Sequence, residues 1–331
     1  MKASGFCVGL AAFVIALITI TASATDWYVD AINGSNGNGG TSWADAWRTI
    51  TYSRTIIGGL GREEDPCTLH AAPGLYSPSG NGETFPIYLG AGLSVDHNEF
   101  YSLAGAGAQL TTIDAESTEK AVVVRAHHTT ISRVTITGGS YGGLVLDSSS
   151  PGGGPASFTL DHCIVRDNSR RGLRSVRAGL HCQFNDCAFT SNDSGPYHGG
   201  AMAFNYSNTI LITNCLIAMN TTGLNGGGIY FYGEQKATLI NCTIAHNEAH
   251  GLYKYASTGW VRLYNCIFWD NDDDIRFKEG LDYSISHCNI SDGDGLGENG
   301  NISQDPLFVS GAQGDYNLSH AGVNAKKKDD K

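Results

Sequence analysis

Six cysteines recur at one position of one repeated phrase, and that repeat constrains the fold more than any single residue. Cys163, Cys187, Cys215, Cys242, Cys266 and Cys288 each follow a His, Asp or Asn, and each has an apolar or aromatic residue two positions on. The spacings between them are 24, 28, 27, 24 and 22 residues, and five of the phrases place an Asn five residues after the Cys (Asn168, Asn192, Asn220, Asn247, Asn271). A period of about 20 to 30 residues with a fixed internal pattern marks a solenoid.

Counting from each Cys gives the shape of one coil. Three residues before it stand Leu160, Phe184, Ile212, Leu239, Leu263 and Ile285; five before it, Phe158, Cys182, Ile210, Ala237, Val261 and Tyr283. These positions share one period-2 phase, whereas the Cys and the residue two after it share the opposite phase, so a corner lies just before the Cys. Asp, Asn and His at that corner tolerate the left-handed backbone a tight turn needs. A third apolar pair is expected 13 and 11 residues before the Cys: Met202 and Phe204, Ile229 and Phe231, Tyr253 and Tyr255, Ile275 and Phe277. Three short strands per coil, each parallel to its counterpart in the next, predict an all-β chain: a right-handed parallel β-helix, single-stranded and three-sided. The Asn five after the Cys closes a second corner, where stacked amides can hydrogen-bond along the axis. Stacked cysteines point the same way about 4.8 Å apart, which favours a column of buried free thiols over disulfides or metal sites. Cys182 with Cys187 is the pair best placed to be an exception.

Boundaries follow from composition. Residues 1–24 combine Lys2, an apolar run from Phe6 to Ile20 and the small residues Ala22-Ser23-Ala24, which predicts a secretory signal peptide and an exported, extracellular or cell-surface protein. No later stretch is long and apolar enough to span a bilayer. Residues 25–65 are expected to form an N-terminal cap with a short helix over Asp45–Ile57, Trp43 and Trp47 covering the first coil. The β-helix is expected over 66–300, with looser early coils containing Pro86-Ile87-Tyr88-Leu89 and Tyr101-Ser102-Leu103. Residues 301–331 form a C-terminal cap and a charged tail. The net charge of −11 argues against nucleic acid as partner, since phosphate binding needs a basic footprint.

Two resemblances follow the residues. Trp27-Tyr28-Val29-Asp30, the Gly/Asn run to Gly40 and Trp47-Arg48-Thr49-Ile50 resemble the opening of secreted pectate-lyase-like β-helix proteins of unknown function, and Ala72-Pro73-Gly74-Leu75-Tyr76 continues the likeness. The coils with Gly199-Gly200-Ala201-Met202 and Gly227-Gly228-Ile229 are similar to repeats of polymorphic outer-membrane proteins. Asp305-Pro306-Leu307-Phe308 and Gly314-Asp315-Tyr316-Asn317-Leu318 resemble the close of modules in bacterial surface proteins. The resemblance implies the fold; that fold hosts lyases, hydrolases, adhesins and inert spacers.

The outer side of the third strand is where chemistry is expected. Counting 12 and 10 residues back from each Cys places outward Ser175 and Arg177, Ala203 and Asn205, Tyr230 and Tyr232, Lys254 and Ala256, Arg276 and Lys278. On an acidic chain this predicts a stripe of rings and cations, extended by Arg166, Arg170, Arg171 and Arg174, that suits an acidic or neutral polysaccharide or a surface protein. Tyr230, Tyr232, Arg174, Arg177, Lys278 and Asn205 are the candidate binding residues. A lyase acting by β-elimination on a uronate polymer needs a base and a cation for the enolate, roles open to Lys254 and Arg276. Paired carboxylates for hydrolysis do not occur on the stripe. Asp270, Asp272 and Asp274 are candidate ligands for Ca²⁺, with Asp292, Asp294 and Glu298 a second acidic run. Three readings remain open: a glycan- or partner-binding module, a polysaccharide lyase, and a spacer with no affinity.

Overall fold

The computed structural model describes residues 25–57, 65–90, 100–147, 156–176, 178–206, 208–310 and 315–318. The leader over 1–24 and the charged end lie outside them. Each coil contributes one strand to each of three parallel sheets. The first sheet has ten strands, from Thr25–Val29 through Ala156–Asp161 to Asp282–Ser286. The second, nine-stranded sheet follows the Cys corner and runs from Gly74–Tyr76 to Asn289–Ile290; the third has eight strands, from Ile87–Leu89 to Ile275–Phe277. Stacking is in register: Phe158 pairs with Cys182 and Cys182 with Ile210, for example. The solenoid starts earlier than expected, because Thr25–Val29, from the stretch assigned to the cap, is the first rung of the ten-stranded sheet.

The interior is a set of apolar columns that the repeat predicts. Leu160, Phe184, Ile212, Leu239 and Leu263 are fully buried, as are Val165, Phe189, Ile217, Ile244 and Phe268. The eight cysteines among the described residues are all buried and free, Cys182 and Cys187 included. Each corner thiol bonds the carbonyl two residues back, as Cys187 Sγ does to Asn185 O at 3.1 Å and Cys215 Sγ to Thr213 O at 3.2 Å. Burial pushes the Cys163 and Cys182 thiols up from their ordinary pKa.

Both corners use left-handed backbone. His162, Asp186, Asn214, Asn241, Asn265 and His287, immediately before the cysteines, have φ between 51° and 55°. At the second corner the left-handed residue is the one before the Asn: Asp167, Ser191, Met219, His246 and Asp270. That frees the Asn side chain to point inward, where it builds a continuous ladder. Asn168 Nδ2 donates to Asn192 Oδ1 at 3.0 Å, Asn192 to Asn220 at 3.0 Å, Asn220 to Asn247 at 2.9 Å and Asn247 to Asn271 at 2.9 Å. Each Oδ1 also accepts the backbone N–H of the preceding Asn, as Asn220 does from Asn192 at 3.0 Å. Asn271 Nδ2 donates to Asp274 Oδ1 at 2.8 Å, so the aligned amide dipoles end on a carboxylate. Gly172 and Gly251 follow from this: a Cβ there would lie 2.8 and 2.9 Å from the ladder amides of Asn192 and Asn271.

The third sheet corrects part of the sequence register. The corner from the third sheet to the first has three residues at 205–207, 232–234 and 278–280, but four at 176–179 and 255–258. The extra residue flips the inside–outside phase of the strand before it. Ser175 and Lys254, expected outside, are therefore fully buried, and Tyr253 and Tyr255, expected inside, face out. Arg174 takes the outward place that Ser175 was given. Lys254 Nζ donates to Gly233 O at 2.5 Å, and burial pushes its ammonium down to about 8.

The ends are closed. Trp47 is buried and stacks on Trp27 at 5.2 Å, while Trp43 stays half exposed and meets Tyr28 edge-on instead of covering the coil. The capping helix, expected from Asp45, spans Ile50–Ile57 after a 3₁₀ turn at Trp43–Asp45. At the other end Asn301 accepts from Cys288 N at 2.9 Å. Beyond it an antiparallel pair, Phe308–Ser310 with Asp315–Leu318, folds back so that Tyr316 Oη lies 3.1 Å from His246 Nδ1.

Replacing Asn220 by Ala leaves buried donors and acceptors unpaired on both sides, and is expected to cost about 3 kcal/mol in chemical denaturation. Asn214→Gly, at the exposed left-handed corner, is expected to stay within about 0.5 kcal/mol of the parent. In a chain starting at Thr25, none of the eight thiols should react with a water-soluble disulfide reagent until the protein unfolds. Lys254→Met tests the buried ammonium. The folded pKa of Lys254 is below its unfolded value of 10.5, so between pH 8 and 10.5 the unfolded chain holds a proton the folded one has released. Parental stability should therefore gain from this group as pH rises through that window. The variant should have the higher Tm at pH 7, with the difference shrinking by pH 10; a Tm advantage that does not change with pH would refute the assignment.

Candidate functional site: the tyrosine face

The outward positions of the third sheet form two rows along the axis. The strand centres carry Arg174, Ala203, Tyr230, Tyr253 and Arg276 on successive rungs. Two residues further on in each coil stand Val176, Asn205, Tyr232, Tyr255 and Lys278. Parallel in-register pairing brings the tyrosines together. Tyr230 and Tyr253 stack at 5.8 Å between centroids and 8° between planes, and Tyr232 and Tyr255 at 5.3 Å and 23°. Tyr230 also lies 6.5 Å from Tyr232, which makes a two-by-two block of phenols.

The packing decides what the block offers. Ring faces are turned toward one another along the axis, which leaves Tyr232 and Tyr255 to meet solvent. Tyr232 and Tyr255 are 48% and 51% exposed, while Tyr230 is 5% exposed. Burial and the neighbouring phenols push the Tyr230 hydroxyl up to about 12, keeping it a donor at neutral pH. Two histidines bracket the block. His198 stacks on Tyr230 at 4.3 Å and 9°, and His250 meets Tyr253 edge-on at 4.7 Å. Their Nδ1 atoms accept the amides of Asn225 at 3.2 Å and Gly226 at 3.4 Å. Burial lowers both pKa values, with Arg171 adding to the effect at His198, so both rings are neutral at pH 7.

Charge differs at the two ends. On one side Arg171 Nε donates to His198 O at 2.7 Å, and its guanidinium sits over the Tyr197 ring at 5.0 Å. Burial, then the charge of Arg174, pulls its pKa down to about 10. On the other side Asp273 lies 3.6 Å from Arg276 and 3.8 Å from His250. Next to it opens a cleft of about 930 Å³, lined by Arg276, Lys278, Tyr283, Asp292, Asp294 and Glu298 among others.

Of the residues singled out in sequence, Tyr230, Tyr232, Arg174 and Arg276 come together on this face, and Asn205 and Lys278 border it. Arg177 lies outside the described residues. Lys254 does not join them: its ammonium is sealed under the strand, where it cannot reach a proton on a substrate lying on the face. The acidic trio is also corrected. Asp274 is fully buried and terminates the Asn ladder, its Oδ2 accepting from Ser291 N and Oγ, both at 2.7 Å. Asp270 pairs with His246 at 3.3 Å, and Asp272 accepts from Ala249 N at 2.8 Å. The carboxylates that converge within 4.8 Å are Asp273, Asp292 and Asp294, with Asp161, His162 and Asp186 a second such group. Burial, then the neighbouring Asp292 and Asp273, raises the Asp294 pKa, and Arg276 competes for Asp273. A groove of about 690 Å³ at the Cys corner, lined by Leu110, His162, Ile164, Ala188 and Leu216, lies on another side of the solenoid. Tyr253, His198 and His250 were missed in sequence, Tyr253 because of the one-residue corner insertion and the histidines because they come from loops; Arg171 belongs to the basic patch that the sequence showed.

Known proteins share the architecture at low identity. The pectate lyase Pel9A matches with a TM-score of 0.50 and 14% identity, over 88% of this chain and 84% of that one. A pectin methylesterase from Aspergillus niger matches at 0.42 and 13%, over 86% of this chain and 92% of that one. The pectin methylesterase from carrot matches at 0.41 and 11%, with 76% of this chain spanning 64% of that one. None of the curated proteins matches. No helix among the described residues is long and apolar enough to cross a membrane. A family model described as the right handed beta helix region matches residues 119–272 and 178–301, more than half of the sequence, and the chain belongs to that family.

Proposed function

We propose that this protein is an exported or cell-surface β-helix module that holds a glycan chain along its third sheet. One observation carries the reading: four tyrosines stack in register on adjacent rungs, Tyr232 and Tyr255 half exposed, and no described residue is a hydrogen-bond partner to any of the four hydroxyls. Stiff aromatic side chains with a polar tip lose little entropy on binding and can both donate to and accept from sugar hydroxyls. From Arg174 to Arg276 the face spans four rungs, about 19 Å at 4.8 Å per rung, long enough for several sugars laid parallel to the axis. That a pectate lyase shares the fold supports a carbohydrate-related role. The lyase reading loses the base assigned to it, since Lys254 is buried.

The test is a calorimetric screen of acidic and neutral polysaccharides, with and without Ca²⁺, followed by Tyr232→Ala and Tyr255→Ala. Both rings are half exposed, so each variant should fold with nearly unchanged Tm and weaken binding about tenfold, or about 1.4 kcal/mol. Absorbance of unsaturated product should not rise with any uronate polymer. A spacer would bind nothing, and unaltered affinity in both variants would place the site elsewhere.

A further inference from the structure

Arg170, Arg171 and Arg174 stand at one end of the tyrosine face, and their arrangement is unlike the rest of this acidic surface. Arg170 lies over the Tyr141 ring at 4.3 Å and faces Tyr197 at 5.7 Å. Arg171 faces the same Tyr197 ring at 5.0 Å, so two guanidinium groups share one aromatic neighbour. Arg174 projects from the adjacent strand, close enough to add its charge to burial in lowering the Arg171 pKa. Like charges held this close repel unless something negative lies between them. Among the described residues no carboxylate forms an ion pair with any of the three. Arg166 has its own partner in Asp167 at 3.4 Å. Asp193, whose backbone carbonyl accepts from Arg171 N, turns its Oδ1 instead to Gly195 N at 2.8 Å and Thr221 Oγ1 at 3.0 Å.

The backbone adds a second, independent sign. Arg170 and Arg171 have φ of 59° and 102°, two successive non-glycine residues in left-handed conformations. Elsewhere the left-handed corner residues stand singly except at Glu116 and Ser117, and are mostly Asn, Asp, His or Ser. Unfavourable backbone of this kind persists where the surrounding structure holds it, and here it carries the two guanidinium groups that share the Tyr197 ring. Planar forks with unused N–H donors match the oxygens of a carboxylate or a sulfate ester.

We infer that Arg170, Arg171 and Arg174, with Tyr197 and His198, form a subsite for an acidic substituent of the bound glycan, a carboxylate or a sulfate ester. The assignment rests on the glycan-binding reading of the face and names its substrate class: an acidic chain entering with one charged sugar at the arginine end. His198 contributes as a neutral stacking partner, its carbonyl fixing Arg171.

Four probes separate the outcomes: an oligogalacturonate, a sulfated galactan oligosaccharide, a neutral galactan of equal length, and inorganic sulfate alone. At low salt at least one acidic oligosaccharide should bind the parent at least tenfold more tightly than the neutral one, and added salt should erase the difference. Whichever of the two acidic probes binds more tightly identifies the substituent. Arg170→Gln with Arg174→Gln should remove the preference, lowering affinity for the acidic probe at least tenfold more than for the neutral one, whereas Arg166→Gln should keep it. Equal affinities for charged and neutral chains, or a preference that survives the double variant, would overturn the subsite while leaving a glycan face intact. If no oligosaccharide binds, the face reading fails. The His198 ring resonance then decides separately: a sulfate-dependent shift lost in the double variant supports an anion site, and no shift refutes it.

Discussion

The buried asparagine ladder is the constraint on which the rest of the solenoid depends. A three-sided coil must turn its backbone inward at each corner, and the amide and carbonyl groups exposed there have no neighbouring strand to pair with. Asn168, Asn192, Asn220, Asn247 and Asn271 meet that demand together. Each side-chain oxygen takes the donors of the coil before, and each side-chain nitrogen donates to the coil after and to a strand carbonyl of the coil before. No member can be satisfied without its neighbours, so the ladder fixes the rotational register of each coil against the next. Asp274 ends the series because it accepts without needing a further acceptor beyond it. A carboxylate that reads in sequence as part of an acidic run is thus a structural terminus.

The thiol column has the complementary role. At the other corner the side chain must be small, apolar and able to lend a weak hydrogen bond to a carbonyl, and cysteine meets all three requirements. The two corners differ chemically because one turns its side chain among polar backbone groups and the other against the apolar columns. With both corners fixed, the central strand positions are free to vary on the outside, and this is where tyrosine, histidine and arginine accumulate on the third sheet.

That face also shows how a solenoid converts repetition into a site. Tyr230 and Tyr253 are 23 residues apart in sequence and one rung apart in space. Because parallel strands stack in register, a residue type repeated at the same outward position becomes a row of functional groups at fixed spacing. The histidines and Arg171 join from the loops that precede the strands; Arg171 with Arg174 gives the row a basic end, and Asp273 an acidic one.

The sequence by itself determined the fold class, the two corners, the free-thiol column and the ladder, because each rests on a local rule repeated many times: strand parity, left-handed corner residues, and like residues at a constant offset. It also pointed to the outer side of the third sheet as the face to test. What only the tertiary structure decided were the features that depend on corner length and on contacts between coils. One extra residue at 176–179 and at 255–258 turned Ser175 and Lys254 inward and Tyr253 outward, a reversal that counting from a cysteine cannot detect. Whether Asp270, Asp272 and Asp274 could meet a cation was settled the same way, since adjacent residues at a corner point in different directions while Asp273, Asp292 and Asp294, from neighbouring coils, converge. Parity is local and can be read from a string; proximity across rungs depends on how the coils close, and exists only once the chain has folded.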